Sequence, residues 1–311
     1  MKKWVQKAIV QKTISYLPAS HKINFFFQKY ITKGVYLKDN YFYDRLDHAK
    51  THIKSYQKYS NNSTPNTSLE IGTGWYPVVP ISFFLTGTNK VYSVDVTFLT
   101  SKERIKITLN KFIECNKLNR LKDYITIVPK RFEAIENLLK NYEQYSLEEI
   151  LKNLNLEYLI EDARNLSLES NSIDFINSNN TFEHIYPNIL SPILKDFKRV
   201  IKHNGVMSHF IDMSDHFAHF DKAITIYNFL KFSGSKWKWI DNSIQPQNRM
   251  RIYDYKKMYS NLGIPISEES FRKGNLKELK SISLAKKYND KPLEEIAKSH
   301  CHFISNMKDC D

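Results

Sequence analysis

Glycine is scarce in this chain, at 8 of 311 residues. A Gly-x-Gly pair is therefore more informative here than in an ordinary sequence. Cysteine is scarcer still: Cys115, Cys301 and Cys310 are odd in number and show no metal-ligand spacing. That argues against a disulfide framework or a zinc knuckle, and it fits a reduced, cytoplasmic compartment. Long hydrophobic runs are missing too. The longest mostly apolar stretch, Val78 to Leu85, is far too short to span a bilayer and contains Pro80. The opening Met1-Lys2-Lys3-Trp4-Val5-Gln6-Lys7 carries charge without a following apolar segment, so it does not read as a signal peptide. No block of five or six like charges, internal repeat or low-complexity tract appears.

Hydrophobic residues make up 41% and aromatic residues 14%, enough for a sizeable core. Lys and Arg number 46 against 33 Asp and Glu, a formal net charge of +13. Such a surface attracts nucleic acid, anionic lipid or phosphorylated substrates. The basic residues are spread along the whole chain, beside an abundance of Asn and Ile. This reads as compositional bias, and nucleic acid is not an expected partner.

Apolar spacing divides the chain. Residues 1–66 read as helices, from Trp4, Ala8 and Ile9, from Ile23, Phe26, Phe27 and Tyr30, and from Leu46, Ala49, Ile53 and Tyr56. They are expected to form an N-terminal helical cap, or a basic aromatic face touching a membrane or a lipid-linked substrate. The polar stretch Ser60–Asn66 is a domain joint. From 67 to 311 strands alternate with helices: strands near Leu69–Ile71, Lys90–Val94, Tyr124–Val128, Leu156–Ile160, Ile173–Asn177 and Val206–Ile211, and a last one near His300–Asn306. Helices are expected at Pro77–Leu85, Lys102–Asn116 and Pro187–Ile201, with a helical insertion at 131–153 and a substrate-side insertion at 213–260. Strand-helix alternation implies a parallel sheet covered on both faces, the α/β class.

The chain is organised around Ser68-Leu69-Glu70-Ile71-Gly72-Thr73-Gly74-Trp75-Tyr76-Pro77. A short strand runs into a glycine turn, and Pro77 suits a helix start. Strand, glycine turn and helix start together form the loop that holds a nucleotide-like cofactor in doubly wound folds. Asp95 ends the next strand about twenty residues on, where an acid accepts hydrogen bonds from ribose hydroxyls. A dinucleotide fingerprint needs Gly or Ala at position 77, where this chain has proline. In open α/β sheets ligands bind outside the carboxyl ends of the strands, and Glu70, Asp95, Asp162 and Asn179 all fall at such ends.

Glu70-Ile71-Gly72-Thr73-Gly74 resembles the first motif of the class I S-adenosylmethionine-dependent methyltransferases. Glu161-Asp162-Ala163, Ser172–Ser178, Phe182-Glu183-His184-Ile185 and Lys198–Gly205 are similar to that family's later motifs, in order, over about 68–211. The copy departs from the pattern at Tyr76, where a third glycine is common, and at His203-Asn204-Gly205, where a Pro-Gly-Gly turn is usual. The resemblance implies a Rossmann-like fold with a mostly parallel seven-stranded sheet, and S-adenosylmethionine as cofactor. It implies Glu70 near the methionine end, Gly72, Thr73 and Gly74 against the adenosine, Asp95 on the ribose, and Asp162 with the Ala163 N–H at the adenine. It also places Asn179 at the cofactor. The sulfonium already activates the methyl group, so aligning a nucleophile is the protein's main task.

A hydroxyl nucleophile usually needs a base, and His184, His209, Asp212, Asp215, His216 and His219 are open for that role. His184, Asp212 and His216 are the expected catalytic groups, although His184 could equally cap a helix and Asp215 could be an N-cap. Asp215, Arg249 and Arg251 are expected at the substrate, the arginines for a phosphate or carboxylate, unless Arg249 simply pairs with a nearby acid. The His/Asp spacing matches no zinc signature, and no metal is expected. Trp237 and Trp239 are either a sugar-stacking wall or core. Ser208–Asp212, Asp215-His216-Phe217, Tyr227–Leu230, Trp237 and Asn248–Arg251 are similar to bacterial small-molecule methyltransferases found with saccharide-biosynthesis enzymes. That implies a small or glycan-like acceptor, methylated on oxygen. Rival expectations are an RNA methyltransferase, suggested by the charge, and a catalytically silent binding protein.

Overall fold

The first sheet pairing shows why the glycine turn sits where it does. In a computed structural model, which describes residues 2–17 and 36–309, β1 (Thr67–Ile71) pairs in parallel with β2 (Lys90–Asp95). β3 (Leu156–Ile160) and β4 (Ile173–Asn179) add to either side, also in parallel. With β5 (Ile201–Asp212), β6 (Glu268–Arg272) and β7 (His300–Asn306) the sheet has seven strands in the order β3-β2-β1-β4-β5-β7-β6. The Met213 N–H donates to the Ser299 carbonyl at 2.7 Å, and the Ser299 N–H donates to the Arg272 carbonyl at 3.1 Å. The start of β7 therefore meets the ends of β5 and β6, so β7 runs antiparallel in an otherwise parallel sheet. The order reverses beside β1, where such sheets bind ligands.

The chain divides into two compact units. One comprises residues 1–36, 180–191 and 210–303, the other 37–179, 192–209 and 304–311. The divisions fall inside β5, β7 and the helix between β4 and β5.

In the second unit the core is aromatic. Phe175 of β4 is fully buried, its ring 5.3 Å from Phe83 and 5.8 Å from Tyr56. Each such side chain contributes roughly 1.5–3 kcal/mol by leaving water. Phe83 lies on α3 (Val78–Leu85), buried along its whole length, and Tyr56 lies on α2 (Asp39–Tyr59), which packs against α3 and β4. Ser101 caps α4 (Lys102–Lys117), and Ser146 and Glu149 form a capping box on α6 (Leu147–Asn153), following α5 (Pro129–Lys140). The segment expected as a helical insertion, 131–153, holds these two short helices.

In the first unit α1 (Lys3–Ser15) buries Trp4, Ala8 and Ile14. Trp4 lies 5.9 Å from both Phe217 and Phe232. The segment expected as an insertion holds short helices, α8 (Phe217–Phe220), α9 (Gly234–Ile240) and α10 (Ile252–Asn261). α7 (Pro187–Val200) carries Pro192 inside it.

Three expectations change. Residues 1–66 do not form one body, because α1 belongs to the first unit and α2 to the second. The spacing of Ile23, Phe26, Phe27 and Tyr30 lies outside the described residues. Tyr124–Val128 is not a strand: the Val128 N–H donates to the Leu85 carbonyl at the end of α3, so this segment runs over a helix end. His203-Asn204-Gly205 is not a turn before β5 but part of it. A Cβ at Gly205 would meet the Lys202 and Asp174 carbonyl oxygens at 3.0 and 3.1 Å, so the close approach of backbone calls for glycine. β6 was not legible in the sequence, since its burial shows no alternation to read. Among the described residues, no helix is long and apolar enough to cross a membrane.

Candidate functional site

Two groups of polar residues are candidates, one in each unit. In the second unit the centre is the turn after β1. Gly72 has φ 76° and Gly74 φ 73°, the left-handed region that glycine adopts without strain. A Cβ on Gly74 would find nothing within 4 Å, so the backbone borders open space. The Gly72 N–H donates to the Val94 carbonyl at 2.9 Å, tying the turn to β2.

Glu70, the last residue but one of β1, is only 3% exposed. Thr73 Oγ1 donates to its Oε2 at 2.6 Å, and Asn179 Nδ2 donates to Oε1 at 2.8 Å. Ser93 of β2 donates in turn to Thr73 Oγ1 at 2.7 Å. Burial is the main influence on the carboxyl and pushes it up to about 7, against the Thr73 and Asn179 hydrogen bonds and the nearby Arg45 guanidinium. The acid is thus poised between charged and neutral at physiological pH.

Asn179 Oδ1 faces two histidines of α2, His48 Nδ1 at 2.8 Å and His52 Nε2 at 3.1 Å. His52 Nδ1 lies 2.7 Å from Ser208 Oγ on β5. Arg45, His48 and His52 were not singled out from sequence. Their spacing of three and four places them on one stripe of a helix, beside the apolar face that was legible. The only signal was that stripe, which is also what an ordinary solvated face shows.

Asp95 ends β2, where its carboxylate accepts from the Thr97 N–H at 3.3 Å. Burial raises its pKa, opposed by backbone N–H groups of Thr97 and Val96. Ala163 is buried. Asp162 is differently placed from expectation: its carboxylate is half exposed and gripped by Arg164, whose Nε lies 2.9 Å from both oxygens. That side-chain hydrogen bond, with the Arg164 backbone N–H, lowers its pKa to about 2. In this arrangement Asp162 is engaged with its neighbour.

In the first unit the centre is Asp212 at the end of β5. The Ser214 N–H donates to its Oδ1 at 2.8 Å; His300 Nε2 stands 3.3 Å from Oδ1, and His216 Nε2 3.5 Å from Oδ2. Burial opposes ionisation of Asp212, but His216 and His300 overcome it and hold the carboxyl well below its usual range. The His216 ring lies 4.8 Å from His184 and 5.3 Å from His219. His184 Nδ1 donates to the Pro246 carbonyl at 2.7 Å. Burial, reinforced by His216, pushes the His184 pKa down to about 4, so the ring is neutral at pH 7. The expected catalytic residues His184, Asp212 and His216 are therefore brought together, and His300 joins them from more than eighty residues away, beyond the reach of any local motif.

Other expectations fail on geometry. Arg251 is fully buried and donates to the carbonyls of Met213, Ile296 and Lys298. Arg249 donates to the carbonyls of Phe229 and Phe232, at 3.0 and 2.6 Å, under the Trp237 ring. Both guanidiniums tie loops together and are not presented to an acceptor; among the described residues neither is in an ion pair, the alternative that sequence had allowed for Arg249. Asp215 is buried too, accepting from the Phe217 N–H at 2.8 Å and from Asn228 Nδ2 at 3.1 Å. It closes a local turn just ahead of α8, whose N-cap is His216, so the N-cap that its position suggested falls one residue later. In the second unit His209 is buried beside Ser178, its Nδ1 2.8 Å from Oγ, and stacks on Phe197. Trp237 is core, while Trp239 is 81% exposed.

A family model described as a methyltransferase domain matches residues 120–208, less than a third of the chain, covering β3, β4 and most of β5 but not the glycine turn. No curated protein matches the sequence. Among solved structures, the chain is similar to geranyl diphosphate C-methyltransferase of Streptomyces coelicolor A3(2), at 8% identity over 83% of this chain and 78% of that one, with TM-score 0.44. It is similar to phosphoethanolamine N-methyltransferase 2 of Haemonchus contortus at 14% identity, over 85% and 59%, with TM-score 0.41. It is also similar to the YcgJ protein of Bacillus subtilis, at 12% identity over 83% and 97%, with TM-score 0.41. At this degree of overlap no residue role is carried from those proteins to this chain.

Proposed function

We propose that the chain is an S-adenosylmethionine-dependent methyltransferase that methylates an oxygen of a small or glycan-like acceptor, in the manner of enzymes of polysaccharide biosynthesis. The observation that carries this reading is the glycine turn after β1. There Glu70 is held by Thr73 and Asn179, and Gly74 leaves its backbone open to a ligand. The match of residues 120–208 to a methyltransferase domain supports it independently, because it does not include that turn.

The residues fit the cofactor. Gly72, Thr73 and Gly74 would border the adenosine, Asp95 would accept from the ribose hydroxyls, and Ala163 would offer its N–H to the adenine. Glu70 and Asn179 would hold the methionine end. When bound, the cofactor supplies an electrophilic methyl group on a cationic sulfur. The protein aligns the acceptor and accepts its proton. Within the first unit the candidate proton acceptor is the Asp212, His216 and His184 group, where His184, neutral at pH 7, is a hydrogen-bond acceptor at Nε2 because Nδ1 serves Pro246.

The test uses the full-length protein, methyl-labelled cofactor and fractionated extracts. Label entering a glycan or other small acceptor in an alkali-stable ether supports the reading. Label entering RNA would replace it with the RNA alternative, and saturable cofactor binding without label in any fraction would favour a silent binding protein.

A further inference from the structure

Glu183 and His184 lie on a single helical turn, Phe182–His184, and His216 follows Asp212 by four residues. Sequence spacing showed no zinc signature here, because the ligands come from two separate segments. In the fold, Glu183, His184 and His216 place one donor atom each within 4.8 Å of one another. Glu183 is 4% and His216 9% exposed. The turn is pinned from behind: Asn248 Nδ2 donates to the Phe182 and Ile185 carbonyls, both at 2.8 Å, and the Asn248 N–H donates to the Glu183 carbonyl at 2.9 Å. The His184–Pro246 hydrogen bond fixes that ring with Nε2 forward. A metal-ligating imidazole is oriented by such an outer bond to a carbonyl. His216 Nε2 is buried without a hydrogen bond, and its 3.5 Å distance to Asp212 Oδ2 is too long for a good one.

We propose that Glu183, His184 and His216 form a site for a divalent transition-metal ion of the zinc class, with Asp212 beside it. Two imidazole nitrogens and a carboxylate suit borderline ions such as Zn²⁺, Co²⁺ or Fe²⁺, whereas Mg²⁺ and Ca²⁺ favour all-oxygen sites. Bonds of about 2.0–2.2 Å separate tetrahedral neighbours by about 3.4 Å, so the donors close slightly on the ion. Asp212 keeps Oδ1 on the Ser214 N–H and turns Oδ2 toward His216, which makes it the natural fourth ligand. Two carboxylates and two neutral imidazoles then balance a doubly charged ion inside a buried cluster.

The inference goes beyond methyl transfer and its test needs neither cofactor nor acceptor, so its failure is distinguishable from that of the proposed function; an ion here would take the His184 Nε2 named above as proton acceptor. An ion at this place would also acidify a hydroxyl bound to it.

The experiment strips the full-length protein with a chelator and titrates it with Co²⁺, reading visible d–d absorption, followed by displacement with Zn²⁺. The expected result is one equivalent of Co²⁺ with ligand-field bands, bleached by one equivalent of Zn²⁺. His184→Ala, His216→Ala and Glu183→Gln should each weaken binding by more than about tenfold, the least that losing even an outer-shell partner costs. His203→Ala, on the exposed edge of β5, should titrate as wild type. Where a variant fails to fold, the wild-type spectrum decides alone. No bands from folded wild-type protein would overturn the site, as would unchanged stoichiometric binding in all three variants.

Discussion

The two units treat buried charge in opposite ways. In the second, Glu70 is surrounded by neutral donors, Thr73 and Asn179, and burial lifts its pKa to about 7. In the first, Asp212 is surrounded by imidazoles, and His216 and His300 hold its pKa down despite burial. The first arrangement keeps an acid ready to ionise when a cation arrives. The second keeps an acid ionised and uses it to fix rings. Neutral hydrogen-bond donors around one acid and imidazole rings beside the other account for the difference.

The variant expected to matter most tests whether the arginines belong to the fold or to the acceptor. Arg251→Ala leaves the buried carbonyls of Met213, Ile296 and Lys298 without their donor and should destabilise the protein by about 1–3 kcal/mol for each carbonyl that finds no other partner. Thermal unfolding measures it. An unchanged melting temperature together with lost turnover would return Arg251 to the acceptor.

Asp95→Ala comes next. Losing hydrogen bonds between ribose hydroxyls and a charged acceptor should weaken cofactor binding by about 10–100-fold, roughly 1.5–3 kcal/mol, with little change in melting temperature. Normal affinity by calorimetry would show that the ribose lies elsewhere.

Glu70→Gln sharpens the contrast between the acids. A carboxyl whose pKa rises from 4.5 to about 7 on folding favours the folded state only while protonated. Its contribution is intact below pH 4.5 and is lost as pH climbs to 7, on the order of 3 kcal/mol at most. The glutamine variant should therefore melt higher than wild type at pH 8 and nearly alongside it at pH 5. Cofactor affinity of the wild type should rise through pH 7 as Glu70 ionises, and that of the variant should be flat. Parallel pH profiles of affinity for the two proteins would remove Glu70 from the cofactor.

The smallest effect belongs to Arg164→Ala. It frees Asp162, so cofactor affinity should rise slightly, with no measurable change in melting temperature because the pair is exposed. Weaker binding instead would mean that Arg164 itself meets the ligand.

Much of the second unit was legible. Glu70 through Gly74 announces itself by scarce glycines between a strand and a proline, and β3 falls on the residues expected for it, Leu156–Ile160. The partners of Glu70 were harder to see. Asn179 could be placed at a strand end, but His48 and His52 reach it from α2 across more than a hundred residues. The first unit was less legible for the same reason. Asp212 and His216 are neighbours in sequence, whereas His300, Glu183 and Asn248 join them only through long-range packing. Arg249 and Arg251 misled because an arginine bonded to backbone carbonyls has the same sequence signature as one awaiting a phosphate.

Titration of S-adenosylmethionine into the folded wild-type protein, followed by calorimetry at pH 7.5, tests the central claim most directly. The account predicts saturable one-to-one binding that Asp95→Ala weakens. Absence of binding at any accessible cofactor concentration, from protein shown to be folded, would contradict it.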